Sequence, residues 1–222
     1  MTARYTDNHP LYTSTALDWL DENLDPDWAV FEYGGGGSTR YWGNNCTEVF
    51  TVDHSDQWYN SLHKSDNTNA ALVKPGDTIN PNAAELDQQF WDMKFDLPIR
   101  ESEPEMYNEF HGMLNDAGRG YASTICKFPH AYFDVVVVDG LARSLCMWYA
   151  GHMVNPAGLI ILDNSCRPAY NDLQCWLIDQ RFNRMDFWQP SHAGYCTSIF
   201  KRSFPSTPEP YRRVSGTGDL GW

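Results

Sequence analysis

Trp28-Ala29-Val30-Phe31-Glu32-Tyr33-Gly34-Gly35-Gly36-Gly37-Ser38-Thr39 is the stretch whose reading decides the fold. An apolar run stops abruptly at glycines, which reads as a buried strand ending in a tight turn. A helix follows over residues 39–44, with Ser38 or Thr39 at its N-terminus. Gly34, Gly36 and the small Ser38 let the backbone turn sharply and come close to a ligand. The pattern is Glu-x-Gly-x-Gly-x-Ser. It is not the Gly-x-Gly-x-x-Gly that points a helix N-terminus at a pyrophosphate. By itself the turn supports a nucleotide-like ligand, and a glycine-rich turn with no ligand is its bland alternative.

Outward from this turn, strands and helices alternate. A helix capped by Ser14 or Thr15 carries Leu17, Leu20 and Leu24 on one face, and Asp25-Pro26-Asp27 ends it. Residues 48–53 form a second strand, residues 56–63 a helix, and residues 70–73 a weak third strand closed by Pro75-Gly76. Phe133-Asp134-Val135-Val136-Val137-Val138-Asp139-Gly140 is a central strand, since four successive valines suit burial on both faces. A helix over residues 142–154, a strand at residues 159–162, a helix over residues 171–184 and a late strand at residues 197–201 complete the alternation. Such alternation predicts an α/β fold of three layers: a mostly parallel sheet of about seven strands, with helices on both faces.

Residues 77–118 break the pattern with prolines, acidic groups and scattered aromatics (Phe90, Trp91, Phe95, Tyr107, Phe110). They read as an insertion or partial lid, the alternative being a surface loop with a short helix or two. Residues 204–222 are rich in Pro, Ser and Gly and read as a flexible tail. The 222 residues suit one domain rather than two. A formal net charge of -13 repels a phosphate backbone, so no nucleic-acid partner is expected. No apolar stretch is long enough to span a bilayer, and the first ten residues lack the apolar run of a secretory signal. The six cysteines form no close pair, so free thiols in a reducing cytoplasm are the simplest reading.

In parallel α/β sheets ligands sit at the carboxyl ends of strands. Four strands here end in an acid: Glu32, Asp53, Asp139 and Asp163. Asp53 lies 21 residues beyond Glu32, the spacing that lets an acid accept hydrogen bonds from ribose hydroxyls. Asp53 or Ser55 capping the next helix is the competing explanation.

These motifs together resemble the class I S-adenosylmethionine-dependent methyltransferases. Residues 30–39 look like their first motif and Thr51-Val52-Asp53-His54 their second. Residues 133–143 and 156–164 are similar to two successive strand segments of a bacterial subgroup of small-molecule or uncharacterised members. The resemblance covers residues 12–74 and 119–202 and implies a Rossmann-like fold. It implies that Glu32, Gly34, Gly36 and Ser38 face the methionine part of S-adenosylmethionine. Asp53 would hold the ribose and His54 would lie beside the adenine. Asp139 would sit near the cofactor amino group or the substrate, and Asp139 and His54 are the catalytic candidates. The usual acid marking the adenine amine is missing, which leaves Tyr121, Ala122 and Ser123 as weak candidates for that wall.

Some members, of the catechol and caffeoyl type, hold a divalent metal at these strand ends. The resemblance therefore extends to Asp139, Asp163 and Asn164 as oxygen ligands for magnesium. A turn at Asp163-Asn164 explains the same residues without a metal. His54, His111, His130, His152 and His192 are further candidate bases. Arg143, four residues after Asp139, fits either an anionic substrate or an ordinary salt bridge. Cys146 reads as a buried thiol, and Trp91, Trp148 and Trp188 as core.

The expectation is methyl transfer to an oxygen or nitrogen of a small molecule. The alternatives are a non-catalytic S-adenosylmethionine-binding protein and a nicotinamide-dependent oxidoreductase. The missing third glycine argues against the latter. The oligomeric state is not legible.

Overall fold

The computed structural model describes residues 10–62, 67–73, 79–95, 116–190 and 194–203. In chain order the elements are α1 (Ser14–Asn23), β1 (Ala29–Tyr33), α2 (Gly37–Asn45), β2 (Glu48–Asp53), α3 (Asp56–Ser61), β3 (Thr68–Leu72), α4 (Ala84–Asp92), α5 (Asp116–Ala122), β4 (Val135–Val138), α6 (Arg143–Met153), β5 (Leu159–Leu162), α7 (Asn171–Asp179), β6 (Phe182–Trp188) and β7 (Cys196–Arg202). Short 3-10 turns at Pro81–Ala83, Ser123–Lys127 and Pro168–Tyr170 connect them.

One seven-stranded sheet carries the fold, in the order β3-β2-β1-β4-β5-β7-β6. Only β7 runs antiparallel, between β5 and β6, both of which it pairs in reverse. The α/β sheet read from the sequence is thus present, with helices on both faces. Alternation along the valine strand explains the layers. Val136 and Val138 join Phe31, Tyr33, Ile160 and Leu162 on one face, beneath α6 and α7. Val135 and Val137 join Val30, Leu159, Ile161 and Ile199 on the other, beneath α1 and α2.

Three expectations shift. Thr13, not Ser14 or Thr15, caps α1 by accepting from Ala16 N–H at 3.3 Å. Ser14 and Thr15 instead bond to the β6–β7 hairpin, through Gln189 Oε1 at 2.9 Å and the Trp188 carbonyl at 3.2 Å. The helix expected over residues 171–184 ends at Asp179, and residues 182–188 form β6. Arg181 takes a left-handed turn (φ 68°) that breaks the helix, a conformation no glycine announced. The third strand occupies Thr68–Leu72, two residues earlier than read.

The described part of the insertion is a helix packed on the sheet's helical layer. Trp148 Nε1 donates to the Leu86 carbonyl at 2.8 Å, and Phe90 stacks edge-on against Trp148 at 5.8 Å. Asp87, 2% exposed, forms a bidentate ion pair with Arg119 of α5 and accepts from Tyr149. Tyr107 and Phe110, with the rest of the lid reading at residues 96–115, lie outside the described residues, as do the tail at 204–222, His111 and His192. Among the described residues no helix is long and apolar enough to cross a membrane.

The Asp87–Arg119 pair anchors α4, and losing Asp87 removes both of its charged hydrogen bonds to Arg119 and its bond from Tyr149. Asp87→Ala is expected to lower unfolding stability by about 3 kcal/mol, the low end for a broken buried pair, because Arg119 keeps some solvent. Urea denaturation checks this; a loss below about 1 kcal/mol would mean the insertion is not held by this pair.

Candidate functional site

Sheet order reverses between β1 and β4, so the chain leaves them in opposite directions and a crevice opens over their carboxyl ends. Here the two backbones meet without side chains between them. Gly34 has φ 90°, and a Cβ on it would lie 2.6 Å from Gly140 Cα and N. A Cβ on Gly140 would lie 2.1 Å from the Tyr121 hydroxyl oxygen. Gly36 differs: a Cβ there would meet nothing within 4 Å, so the tip of the turn faces open space.

Glu32 is fully buried behind the turn. Thr39 and Thr51 hydroxyls donate to its Oε2 at 2.5 and 2.8 Å, and Thr39 in turn accepts from Gly36 N–H at 3.0 Å. These bonds tie the turn, the first turn of α2 and β2 to one carboxylate. Ser38, 5% exposed, also favours its charged form, but Oε1 makes no hydrogen bond of proper geometry. Burial pushes the Glu32 carboxyl up to about 7, against the pull of the Ser38, Thr39 and Thr51 hydroxyls.

Asp53 ends β2 as expected. Its Oδ2 accepts from Gly35 N–H at 2.8 Å and its Oδ1 from Ser55 N–H at 2.7 Å. The cap of α3 is Ser55, which accepts from Trp58 N–H. Asp53 therefore braces the glycine turn and holds its neighbour in place, with lone pairs to spare. His54 beside it is about one third exposed, its Nδ1 3.6 Å from Asp53 Oδ1 and its ring edge-on to Tyr121 at 6.0 Å. The strand ends bearing His54 and Asp139 flank β1, roughly 10 Å apart at two strand spacings. The structure does not bring these two catalytic candidates into contact.

The metal reading meets a guanidinium. Arg143, 3% exposed, starts α6 and aims its side chain back across the ends of β4 and β5. Nε donates to the Gly140 carbonyl (3.0 Å), Nη1 to the Asp163 carbonyl (2.7 Å) and to Asn164 Oδ1 (3.4 Å). Nη2 donates to the Asp139 carbonyl (2.6 Å) and lies 2.9 Å from Asp139 Oδ1. All five N–H groups are engaged. Asp163, 2% exposed, turns its carboxylate to Thr197 (2.8 Å) and Tyr195 (3.1 Å). Asp139, Asp163 and Asn164 thus surround an arginine, and their donor atoms do not fit a metal; among the described residues no cluster of metal-ligating groups occurs. Burial raises both Asp139 and Asp163 above the usual carboxylate range, and Arg143 opposes the rise. Asp139 keeps about a quarter of its side chain exposed.

Other expected residues fall elsewhere. Tyr121 is fully buried beneath the turn, the Ala122 carbonyl accepts from Tyr33 at 2.6 Å, and Ser123 accepts from Asn80 N–H. His130 is exposed outside the crevice. His152 packs between Trp148 and Trp176 on α6 and α7. Cys146 is a buried thiol and Trp148 is core, but Trp91 and Trp188 are largely exposed, contrary to expectation. Sequence reasoning missed Tyr12, Thr39, Thr51, Tyr195 and Thr197. Only Thr39 and Thr51 carried a signal, as small polar residues beside the two motifs.

Glu32 links proton binding to stability. Below pH 4.5 the folded and unfolded chains both hold the proton. Between 4.5 and 7 the unfolded chain releases it while the folded one keeps it, so the stability present at low pH is lost as pH rises through 7. Glu32→Gln should gain stability over wild type by on the order of 3 kcal/mol between pH 4.5 and 7.5. Parallel urea-denaturation curves at all pH values would contradict it.

No protein-family model matches the chain, and no curated protein matches it. Solved structures do resemble it. Precorrin 8w decarboxylase of Methanobacterium thermoautotrophicum is 11% identical, with a TM-score of 0.50 over 89% of this chain and 95% of its own. A methyltransferase-like protein of Silicibacter pomeroyi is 15% identical, with a TM-score of 0.48 over 90% and 92%. The 1,6-didemethyltoxoflavin-N1-methyltransferase of Burkholderia thailandensis, solved with S-adenosylhomocysteine, is 12% identical, with a TM-score of 0.46 over 86% and 78%. At such identities the likeness speaks to fold alone. The chain has the Rossmann-like fold in which class I S-adenosylmethionine-dependent methyltransferases are found.

Proposed function

We propose that the chain is an S-adenosylmethionine-dependent methyltransferase that methylates an oxygen or nitrogen of a small molecule in the crevice over β1 and β4. The observation that carries this reading is the turn itself. Gly36 faces open space, while the carboxylate behind the turn, Glu32, keeps one buried oxygen without a partner. A buried unpaired acceptor is costly, and a ligand bearing positive charge relieves that cost. Asp53, at the end of the next strand, supplies the acceptor for a ribose.

S-adenosylmethionine supplies a methyl carbon made reactive by the sulfonium, so the chain's work is positioning. Gly34 and Gly36 let the backbone approach, Asp53 takes ribose hydroxyls, and His54 lies on the adenine side. Asp139, fixed by Arg143 yet part exposed, is placed to take a proton from the acceptor, and its raised basicity suits that task. His54 sits too far along the sheet to share it. No step uses a metal, because Arg143 fills the position between the acids. The reversed β7 between β5 and β6 departs from the 3-2-1-4-5-6 dinucleotide order, which weighs against a nicotinamide enzyme. The acidic chain is expected to act on a small-molecule methyl acceptor rather than nucleic acid.

Calorimetry with S-adenosylmethionine, S-adenosylhomocysteine and NAD separates the readings. Micromolar binding of the first two, weakened at least about tenfold by Asp53→Ala, is the expected result. Tight NAD binding without the others would sink the proposal. Cofactor binding without product from phenols, amines and acids would favour a non-catalytic binding protein.

A further inference from the structure

Tyr12 stands out as a buried polar group that the fold does not fully use. The chain before α1 crosses the ends of β6 and β7 as a pinned strap. Thr13 N–H donates to Thr197 Oγ1 at 3.0 Å, Thr13 Oγ1 donates to the Phe187 carbonyl at 3.0 Å, and Tyr195 bonds to the Leu11 carbonyl. Thr197 also donates to Asp163, and the single O–H of Tyr195 lies within reach of both the Leu11 carbonyl and Asp163 Oδ2. The buried carboxylate of β5 thereby fixes where the strap lies.

From this strap Tyr12 turns inward and is 4% exposed. Its oxygen accepts from Trp42 Nε1 of α2 at 3.4 Å. No acceptor for its own O–H occurs among the described residues. Leu11 and Thr13 on either side of it bond to Tyr195 and Thr197 beside Asp163, which sets Tyr12 at the acid-ended strands, where Glu32, Asp139 and Asp163 are the acids that bear on it. Burial and those acids raise its pKa well above the ordinary phenol, so the group stays neutral and keeps its proton. The result is a fixed, uncharged donor with no acceptor among the described residues.

The methionine end of S-adenosylmethionine carries an ammonium and a carboxylate. Glu32 suits the ammonium. The carboxylate is the one anion brought into an acidic crevice, and Arg143, the buried cation there, has no N–H left to offer. We infer that Tyr12 is a cofactor-binding residue, its O–H donating to the carboxylate of the methionine end and so completing the crevice from the N-terminal strap. This inference rests on the methyltransferase reading and extends it to a residue outside the sheet's strand ends.

Tyr12→Phe removes the hydroxyl and keeps the ring. Calorimetry compares S-adenosylhomocysteine with 5′-methylthioadenosine, which lacks the amino-acid part, and a thermal melt accompanies each protein. The expected result is a loss of about tenfold or more for S-adenosylhomocysteine with methylthioadenosine affinity unchanged, the melting temperature falling only by the little that Trp42 Nε1 loses with its long bond to Tyr12. Unchanged affinity for S-adenosylhomocysteine overturns the inference, as does an equal loss for both ligands. A wild-type chain that binds methylthioadenosine and S-adenosylhomocysteine equally well overturns it too, while leaving the methyltransferase reading in place. A wild-type chain that binds neither overturns that reading and the inference with it.

Discussion

The backbone contact between Gly34 and Gly140 is the constraint on which the rest of the structure depends. Two parallel strands that diverge at a switch point leave their carboxyl ends side by side. Here those ends approach until no Cβ fits on either glycine. Such closeness lets the glycine turn fold over β2 and puts Tyr121 directly beneath it. It also sets Glu32 fully out of solvent contact. The same contact explains why Gly36, two residues on, can face open space: the turn is anchored before its tip.

Around that contact the molecule concentrates buried charge. Arg143 spends every N–H on the ends of β4 and β5, three of them on main-chain carbonyls. Two buried carboxylates, Glu32 and Asp163, and the part-exposed Asp139 outnumber it. Burying an ion costs several kcal/mol before partners are counted, so such an arrangement is a poor way to gain stability and a sensible way to hold a geometry. An excess of acid over base also sets the chemistry that the crevice welcomes. A sulfonium and an ammonium fit it, and an anion needs a neutral donor.

The sequence showed the layers clearly where burial is two-sided. Four successive valines and the run ending at Glu32 admit little but central parallel strands, and the 21-residue step to Asp53 marked the second strand end. The boundary between α7 and β6 was hidden because residues 171–184 keep helical spacing while Arg181 takes a left-handed turn usually left to glycine. Arg143 was visible as a cation four residues past Asp139, fit for an anionic substrate or a salt bridge. Its bond to the Asp163 carbonyl was not, since that contact depends on how two strand ends meet. Tyr12 sits in a polar lead without periodicity, and only the strap's bonds to β6 and β7 give it a place.

A crystal structure with S-adenosylhomocysteine tests the central claim most directly. The account predicts ribose hydroxyls on the Asp53 carboxylate and the amino-acid end against Glu32 and Gly36, with β1 and β4 unmoved. A ligand bound away from the ends of β1 and β4, or a crevice that stays empty at saturating ligand, would contradict it.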